Sequence, residues 1–342
     1  FNTSYKSEDA WIISRWNSTK KDITENMEKF RVDIALNHLI DFIENDLSRT
    51  YVKLAKPRIF DENDETAAFV FKDIMFEISK YSAIFIPFIA EYIYSVLKKR
   101  GSVMLEDLPN VEDVKINKLL EDKMNNSLKI VQDIMSFRDS SKIPVKRPIR
   151  NVIIIGKKDE DIIQSVINDI TNIMQISFDI TNIDISFEIN ATKLKTRYND
   201  EEISKIVGKF LELTKETIIR NINNLKLDID GKVYTLNRDD FKIKIGNSNM
   251  EAINGNASGT IILIDKNIDN EVLNLWIKRE IIRAVQDIRK QFNMKRDDKI
   301  GLEFLINNKI NGDLDEVSIN NIYSKTNSVH KKGKLLKIQT LI

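Results

Sequence analysis

From residue 10 to residue 99 apolar side chains recur every three or four positions, with no stretch of two-residue alternation. That is the period of helices that bury one face. The clearest case is 34–58, where Leu36, Ile40, Ile43, Leu47, Tyr51 and Leu54 line one side. Arg49, Lys53 and Lys56 recur at the same spacing on another side, so one helix is expected to carry both an apolar stripe and a row of cations. Pro57 is expected to close it, because proline disfavours helical geometry in the residue before it. Upstream, Trp11, Ile12, Trp16, Ile23, Met27 and Phe30 mark two helices or one long one. Downstream, Phe69, Val70, Ile74 and Ile78 give a helix over 67–80, and 84–99 gives another with Pro87 near its start, where proline is tolerated. Amphipathic helices with short connections make an antiparallel bundle.

Residues 101–114 read as a loop. Helix resumes over 117–137, with Leu119, Leu120, Met124, Leu128, Val131 and Met135 on one side. The connector 138–150 follows, in which Arg138, Lys142, Lys146, Arg147 and Arg150 face one acid, and two prolines exclude helix. Beyond it the period drops to two: 152–155 reads as a buried strand, 183–189 as a half-exposed one, and Asp230-Gly231 as the turn of a hairpin. Strands are also expected at 241–245 and 260–264, with a loose loop over 246–259, and helices over 161–174 and 203–218. The last strong helix, 271–292, buries Leu273, Ile277, Ile281, Val285, Ile288 and Phe292 and lines up Arg279, Arg283, Gln286 and Lys290 on a polar side. A strand (300–306), a short helix (315–323) and a strand (335–341) are expected to complete the chain. The fold class is α+β: a helical bundle over 1–140, a mixed α+β domain over 141–265, and a helix–strand unit over 266–342.

Composition narrows the chemistry. At 342 residues, 42% hydrophobic and 31% charged, the chain can bury two or three cores. A net charge of +1 supplies no global basic field, so nucleic-acid binding must come from local clusters of Lys and Arg. Cysteine is absent, which removes disulfides, thiol nucleophiles and thiolate metal sites. His38 and His330 are the only histidines and lie far apart, so a zinc site is not expected. There is no phosphate-cradling GxxxxGK[ST], no GxGxxG after a strand, and no carboxylate pair that stands out as acid and base. No apolar run approaches the roughly 20 residues of a membrane span. The expectation is a binding role, with no catalytic residue, no metal and a cytoplasmic location. The start at Phe1 suggests a fragment of something longer.

Five motifs then point to a family. The string 276–300, WIKREIIRAVQDIRKQFNMKRDDKI, resembles the C-terminal signature of isoleucyl-tRNA synthetases, Glu-x-x-Arg-x-Ile-Gln-x-x-Arg-Lys followed by an acid and a strand. Trp11-Ile-Ile-Ser-Arg15 resembles the family's Trp-Ile-x-Ser-Arg element, and Asp46-Leu-Ser-Arg-x-Tyr51 its Asp-Leu-Ser-Arg-x-Tyr helix in archaeal-like form. Pro87-Phe-x-x-Glu91 and Arg147-Pro-Ile149 are similar to two further elements, and all stand in family order. Two of these motifs are shared with valyl and leucyl relatives; the 276–300 string is specific to the isoleucine family. The segment 176–180 departs from the Glu-Leu-Asn-Val of many members, and Lys123-Met-Asn-Asn-Ser127 lacks the second lysine of the family's catalytic loop.

The resemblance implies the anticodon-binding domain and C-terminal region of an isoleucine–tRNA ligase, with tRNA(Ile) and the missing catalytic domain as partners, in a monomer. ATP and magnesium would belong to that missing part. An anticodon is read by splaying its bases against aromatic or guanidinium planes while its stem is held through phosphates. The candidate tRNA contacts are therefore Arg49, Lys53, Lys56 and Arg58 on the helix, Arg138, Lys142, Lys146, Arg147 and Arg150 in the connector, and Arg279, Arg283 and Lys290 on the last helix. Against this stand the ordinary readings: cation rows as solvated faces, Arg15, Asp46 and Tyr51 as interhelix ties, Trp11 and Trp16 as core, or the whole as a protein-docking scaffold.

Overall fold

The computed structural model describes residues 5–98, 101–179, 184–246, 249–295, 298, 300–302, 322–323, 326 and 328–330. The chain divides into two compact units, Phe1–Leu128 with Glu160–Ile170, and Lys129–Asp159 with Thr171–Ile342. The architecture is α+β.

In the first unit α1 (Ser7–Glu28) is one long helix carrying Trp11, Ile12, Trp16 and Ile23 into the core. It ends where Phe30 turns to a positive φ of 57°. A continuous rod follows: α2 (Val32–Asp41), a π-helical segment (Phe42–Tyr51) and α3 (Val52–Asp61). Within the π segment the Thr50 hydroxyl donates to the carbonyl of Asn45 at 2.8 Å, five residues back, and the Val52 N–H bonds to Leu47. The wider turn rephases the rod. Its buried positions run Ala35, Leu39, Phe42, then Leu47, Thr50, Tyr51, Leu54, Ala55 and Arg58, so the step from Phe42 to Leu47 is five residues. The expected stripe is therefore right only past that step: Ile40 is 47% exposed, and Leu36 and Ile43 lie at the edge. Nor does Pro57 close the rod, which runs on to Asp61; burial of Leu54, Ala55 and Arg58 holds the helix through the proline.

Helices α4 (Glu65–Ser82), capped by Asp64 accepting from Ala67 N–H at 3.0 Å, and α5 (Pro87–Lys98) complete the bundle with the first turns of α6 (Lys118–Ser140). Lys20, 1% exposed, binds Glu77 at 2.9 Å and the carbonyl of Asn110 at 3.0 Å, fixing the loop before α6.

The second unit is built on a four-stranded sheet in the order β2-β1-β8-β7, from β1 (Ile149–Ile155), β2 (Ile173–Ser177), β7 (Met250–Asn254) and β8 (Ile261–Asp265). β1 and β2 are parallel, with α7 (Gln164–Thr171) between them in the chain, and β8 and β7 add antiparallel. Strand β7 occupies part of the expected 246–259 loop. Val152–Ile155 and Ile261–Ile264 are fully buried, as two central strands require. Between β2 and β7 come β3 (Ile185–Ile189), a short α8 (Ala191–Leu194), α9 (Asp200–Leu211), α10 (Lys215–Arg220), the hairpin β4 (Leu225–Ile229) and β5 (Lys232–Leu236), and β6 (Phe241–Ile245) paired with β3. The expected 203–218 helix is two, because Thr214 caps a new start by accepting from Thr217 N–H. The hairpin turns at Asp230-Gly231, both at positive φ. Ile153, Ile155, Leu194, Ile206, Phe210, Leu227, Leu236, Phe241 and Leu263 share one core.

Helix α11 (Asn270–Gln291), capped by Asp269, buries Ile277, Ile281 and Val285 against Ile322; Phe292 lies past its end and is exposed. β9 (Ile300–Leu302) pairs in parallel with β10 (Ser328–His330). The strand 303–306, most of the 315–323 helix and the 335–341 strand expected from the sequence lie outside the described residues.

Candidate nucleic-acid interface

The helix row separates into two kinds of residue. Lys53 and Lys56 are exposed on α3 and make no ion pair among the described residues. Arg49 is also exposed, holding Asn45 at 2.9 Å and Glu44 at 3.3 Å along its own helix. Arg58 is different: it is 4% exposed, and its guanidinium makes five hydrogen bonds to Glu8, Asp9 and Asp64 at 2.7–3.0 Å. Tyr51 donates to the same Asp9 at 2.8 Å. Burial alone would ease the proton off Arg58, but the three carboxylates outweigh it and raise its pKa. All five N–H donors are used inside the bundle, where Arg58 ties α3 to α1 and to the start of α4.

The other motif residues of the bundle are ties as well. Arg15 binds Asp46 at 3.0 Å and lies 3.6 Å from Glu121, whose other oxygen accepts from Ser14 at 2.6 Å and Ser18 at 2.7 Å. Trp16 packs at a tilt against Phe42 and meets Tyr81 edge-on, as a core residue.

The connector is wound around a second buried guanidinium. Arg138, 1% exposed near the end of α6, donates to the carbonyls of Pro144, Arg147, Thr171 and Asn172 at 2.7–3.3 Å. The Asn172 amide donates back to Val145 and Lys146. Lys142, exposed, takes the left-handed conformation (φ 55°) that ends α6, and the N–H of the buried Ile143 reaches back to Arg138 at 2.8 Å. Burial, helped by the neighbouring charges of Arg147 and Arg279, pushes the Arg138 pKa down to about 10. Arg138 is thus buried and shapes the backbone of the segment.

The remaining connector cations lie against α11. Lys146 pairs with Glu280; Arg150 pairs with Asp269 and with Glu271, both at 2.7 Å. Arg147 lies over the Trp276 ring, 5.8 Å from its centre, and donates to the carbonyl of Lys266 at 3.0 Å. Trp276 in turn donates to Glu280 at 3.1 Å. Neither Arg147 nor Arg279 has a carboxylate partner among the described residues, and burial lowers the pKa of both. Arg138, Arg147 and Arg279 therefore form a knot of positive charge with no carboxylate partner among the described residues. Farther along α11, Arg283 reaches Asp287 only at 3.9 Å, both exposed, and Lys290 is exposed and makes no ion pair among the described residues.

Residues 9–154, from α1 to the end of β1, match the family described as the anticodon-binding domain of tRNA ligase. This region is an anticodon-binding domain. Over 309 residues the chain is 26% identical to isoleucine–tRNA ligases of Pyrococcus abyssi and Thermococcus kodakarensis, covering 86% of this chain. Over 313 residues it is 28% identical to that of Picrophilus torridus, covering 85%. The chain spans 29% of the length of each of these relatives and corresponds to their anticodon-binding part.

Within the anticodon-binding domain fall the α3 row and the connector; Arg279, Arg283 and Lys290 lie beyond it. Sequence reasoning did not find Trp276 as the partner of Arg147, nor the pairing of Lys146 and Arg150 with acids of α11; both needed distant segments brought together. Among the described residues no group of three or more His, Asp or Glu could hold a metal ion, and no helix is long and apolar enough to cross a membrane.

Proposed function

We propose that this chain grips the anticodon arm of tRNA(Ile) as the RNA-binding portion of an isoleucine–tRNA ligase, which joins isoleucine to that tRNA with ATP. On this reading ATP and magnesium bind elsewhere in the ligase, no residue of this chain is catalytic, and the protein acts as a cytoplasmic monomer. The observation that carries it is the knot of Arg138, Arg147 and Arg279 where the connector meets α11, which has no carboxylate partner among the described residues. Gathered, partly desolvated guanidinium groups disfavour one another, and a phosphate is the ligand that relieves them; Arg offers it two parallel donors. Arg147 and Arg279 supply the contacts at the knot, Arg138 holds the backbone beneath, and Lys146 and Arg150 fix the connector through their acids. On this reading Lys142, Arg283 and Lys290 in the second unit, and Arg49, Lys53 and Lys56 in the first, are further candidate phosphate contacts.

Filter binding with tRNA(Ile) against a version with an altered anticodon tests this over a salt series. Affinity is expected to fall steeply with salt as counterions are released, to be weaker for the altered anticodon, and to lose about one unit of log–log slope for each of Arg147→Gln and Arg279→Gln. Equal, salt-insensitive affinity for both RNAs would overturn the proposal.

A further inference from the structure

Helix α5 is apolar on every side. Of its 12 residues only Glu91 and Lys98 are charged. The fold uses Glu91, whose carboxylate accepts from the Ser102 hydroxyl and the Val103 N–H, both at 2.9 Å. Ala90 and Tyr94 turn inward and share a core with Ala83 and Val103. The other side faces water: Phe88 is 91% exposed, Tyr92 71%, Val96 60% and Ile89 57%. These four positions fall within about 100° of arc, one strip along the helix. Ile84 and Ile86, in the turn that leads into the helix, are exposed as well.

A surface helix turns one apolar stripe to the core and charges to water; a helix that is apolar all round belongs to the interior of something larger. Single exposed apolar side chains are ordinary, but a contiguous strip with two aromatic rings marks an interface. The strip holds no cation, so it has nothing to offer a phosphate backbone, and α5 is too short to span a membrane. What fits is a permanent protein partner, because permanent interfaces resemble a core cut in half. The relatives contain one: this chain spans 29% of their length, so most of each ligase lies outside the matched part. We infer that the strip of Phe88, Ile89, Tyr92 and Val96 is an interdomain contact, covered in the whole ligase by an apolar face of the polypeptide that this chain does not span. This rests on the reading of the chain as part of a ligase, and is independent of which cations touch tRNA.

Hydroxyl-radical labelling read by mass spectrometry, on the full-length ligase and on this 342-residue chain at equal radical dose, tests it. Phe30, 91% exposed, and Phe42, fully buried, set the two ends of the scale. In the isolated chain Phe88 is expected to label like Phe30. In the ligase its labelling is expected to fall about fivefold or more, toward that of Phe42, because the core of an interface packs like a protein interior. Tyr92 and Val96 are expected to be protected with it, with or without tRNA. In the ligase, Phe88→Ser with Tyr92→Ser is expected to raise labelling of Ile89 and Val96 toward the level of the isolated chain. In the isolated chain the same pair should leave tRNA affinity unchanged and the melting temperature within about 2 °C, as for exposed side chains. Equal labelling of Phe88 in ligase and chain overturns the inference. So does protection already present in the isolated chain, whether it fades on dilution, as a second copy would, or persists; so does protection that needs tRNA. If Phe88 labels equally in both while the chain binds tRNA with the expected salt dependence, only the contact falls. If labelling behaves as expected but tRNA binding is insensitive to salt, the tRNA reading falls and the contact stands.

Discussion

Replacing Arg58 should unfold the bundle before it affects RNA. The guanidinium is held by Glu8, Asp9 and Asp64, of which Glu8 is 6% exposed and Asp9 fully buried. Arg58→Met fills the space but leaves those carboxylates with no cation and the Tyr51 hydroxyl as the remaining side-chain donor to Asp9. Breaking a buried ion pair from one side costs about 3–5 kcal/mol, because the stranded charge keeps its desolvation penalty. Arg58→Lys offers three donors where Arg58 uses five, so at least two hydrogen bonds are lost, but the charge that answers the carboxylates is kept and the net cost is about 1.5–3 kcal/mol. Urea unfolding followed by Trp11 and Trp16 fluorescence in a Trp276→Phe background reports the first unit alone. The expected order of midpoints is Arg above Lys above Met, with the Met variant about 1–3 M below the parent for a slope near 2 kcal/mol per M. Under folding conditions Arg58→Lys should bind RNA with the parent's salt slope, since no Arg58 donor faces solvent. A Met variant within about 1 kcal/mol of the parent, or a slope reduced in the Lys variant, would refute the reasoning.

Two further outcomes follow from local geometry. Lys142→Gly relieves a left-handed conformation that costs an L-residue about 1–2 kcal/mol, against about 0.5–1 kcal/mol of added chain entropy, so the unfolding free energy from urea titration read by Trp276 should rise by up to about 1 kcal/mol; a fall would contradict the assignment of Lys142 to the end of α6. Burial pushes the Glu121 carboxyl up, but hydrogen bonds from Ser14, Ser18 and Lys118 outweigh it and hold the pKa below the usual range. Its contribution is therefore present above the unfolded-state pKa and lost as pH falls through the depressed folded value. Glu121→Gln should cost about 1–3 kcal/mol at pH 7, and the gap to the parent should close on acidification below about pH 4; a gap that widens there would reverse the sign.

Much of this protein was legible along the chain because helical and strand periods are local. The change from a period near 3.6 to one of 2 marks the passage from bundle to sheet, and fully apolar stretches such as 152–155 announce strands covered on both faces. The motifs of 11–15, 46–51 and 276–300 named the family before any contact was known. Periodicity failed where the backbone changed its own period: the π segment inserts one extra residue between Phe42 and Leu47, and no local propensity marks that step.

What the sequence could not decide was which cations face water. Arg49, Lys53, Lys56 and Arg58 look alike on a helical projection, and so do the five cations of 138–150. Tertiary packing sorts them by what it brings alongside. Glu8 and Asp9, half a hundred residues upstream of Arg58, claim it for the core; four backbone carbonyls claim Arg138; Asp269, Glu271 and Glu280 claim Arg150 and Lys146. A guanidinium can be buried only where its donors are answered, and the answering groups lie too far along the chain for spacing to reveal. Sequence determined that cations cluster here; the fold decided that, among the described residues, Lys53, Lys56, Lys142, Arg147, Arg279 and Lys290 are left without an acid.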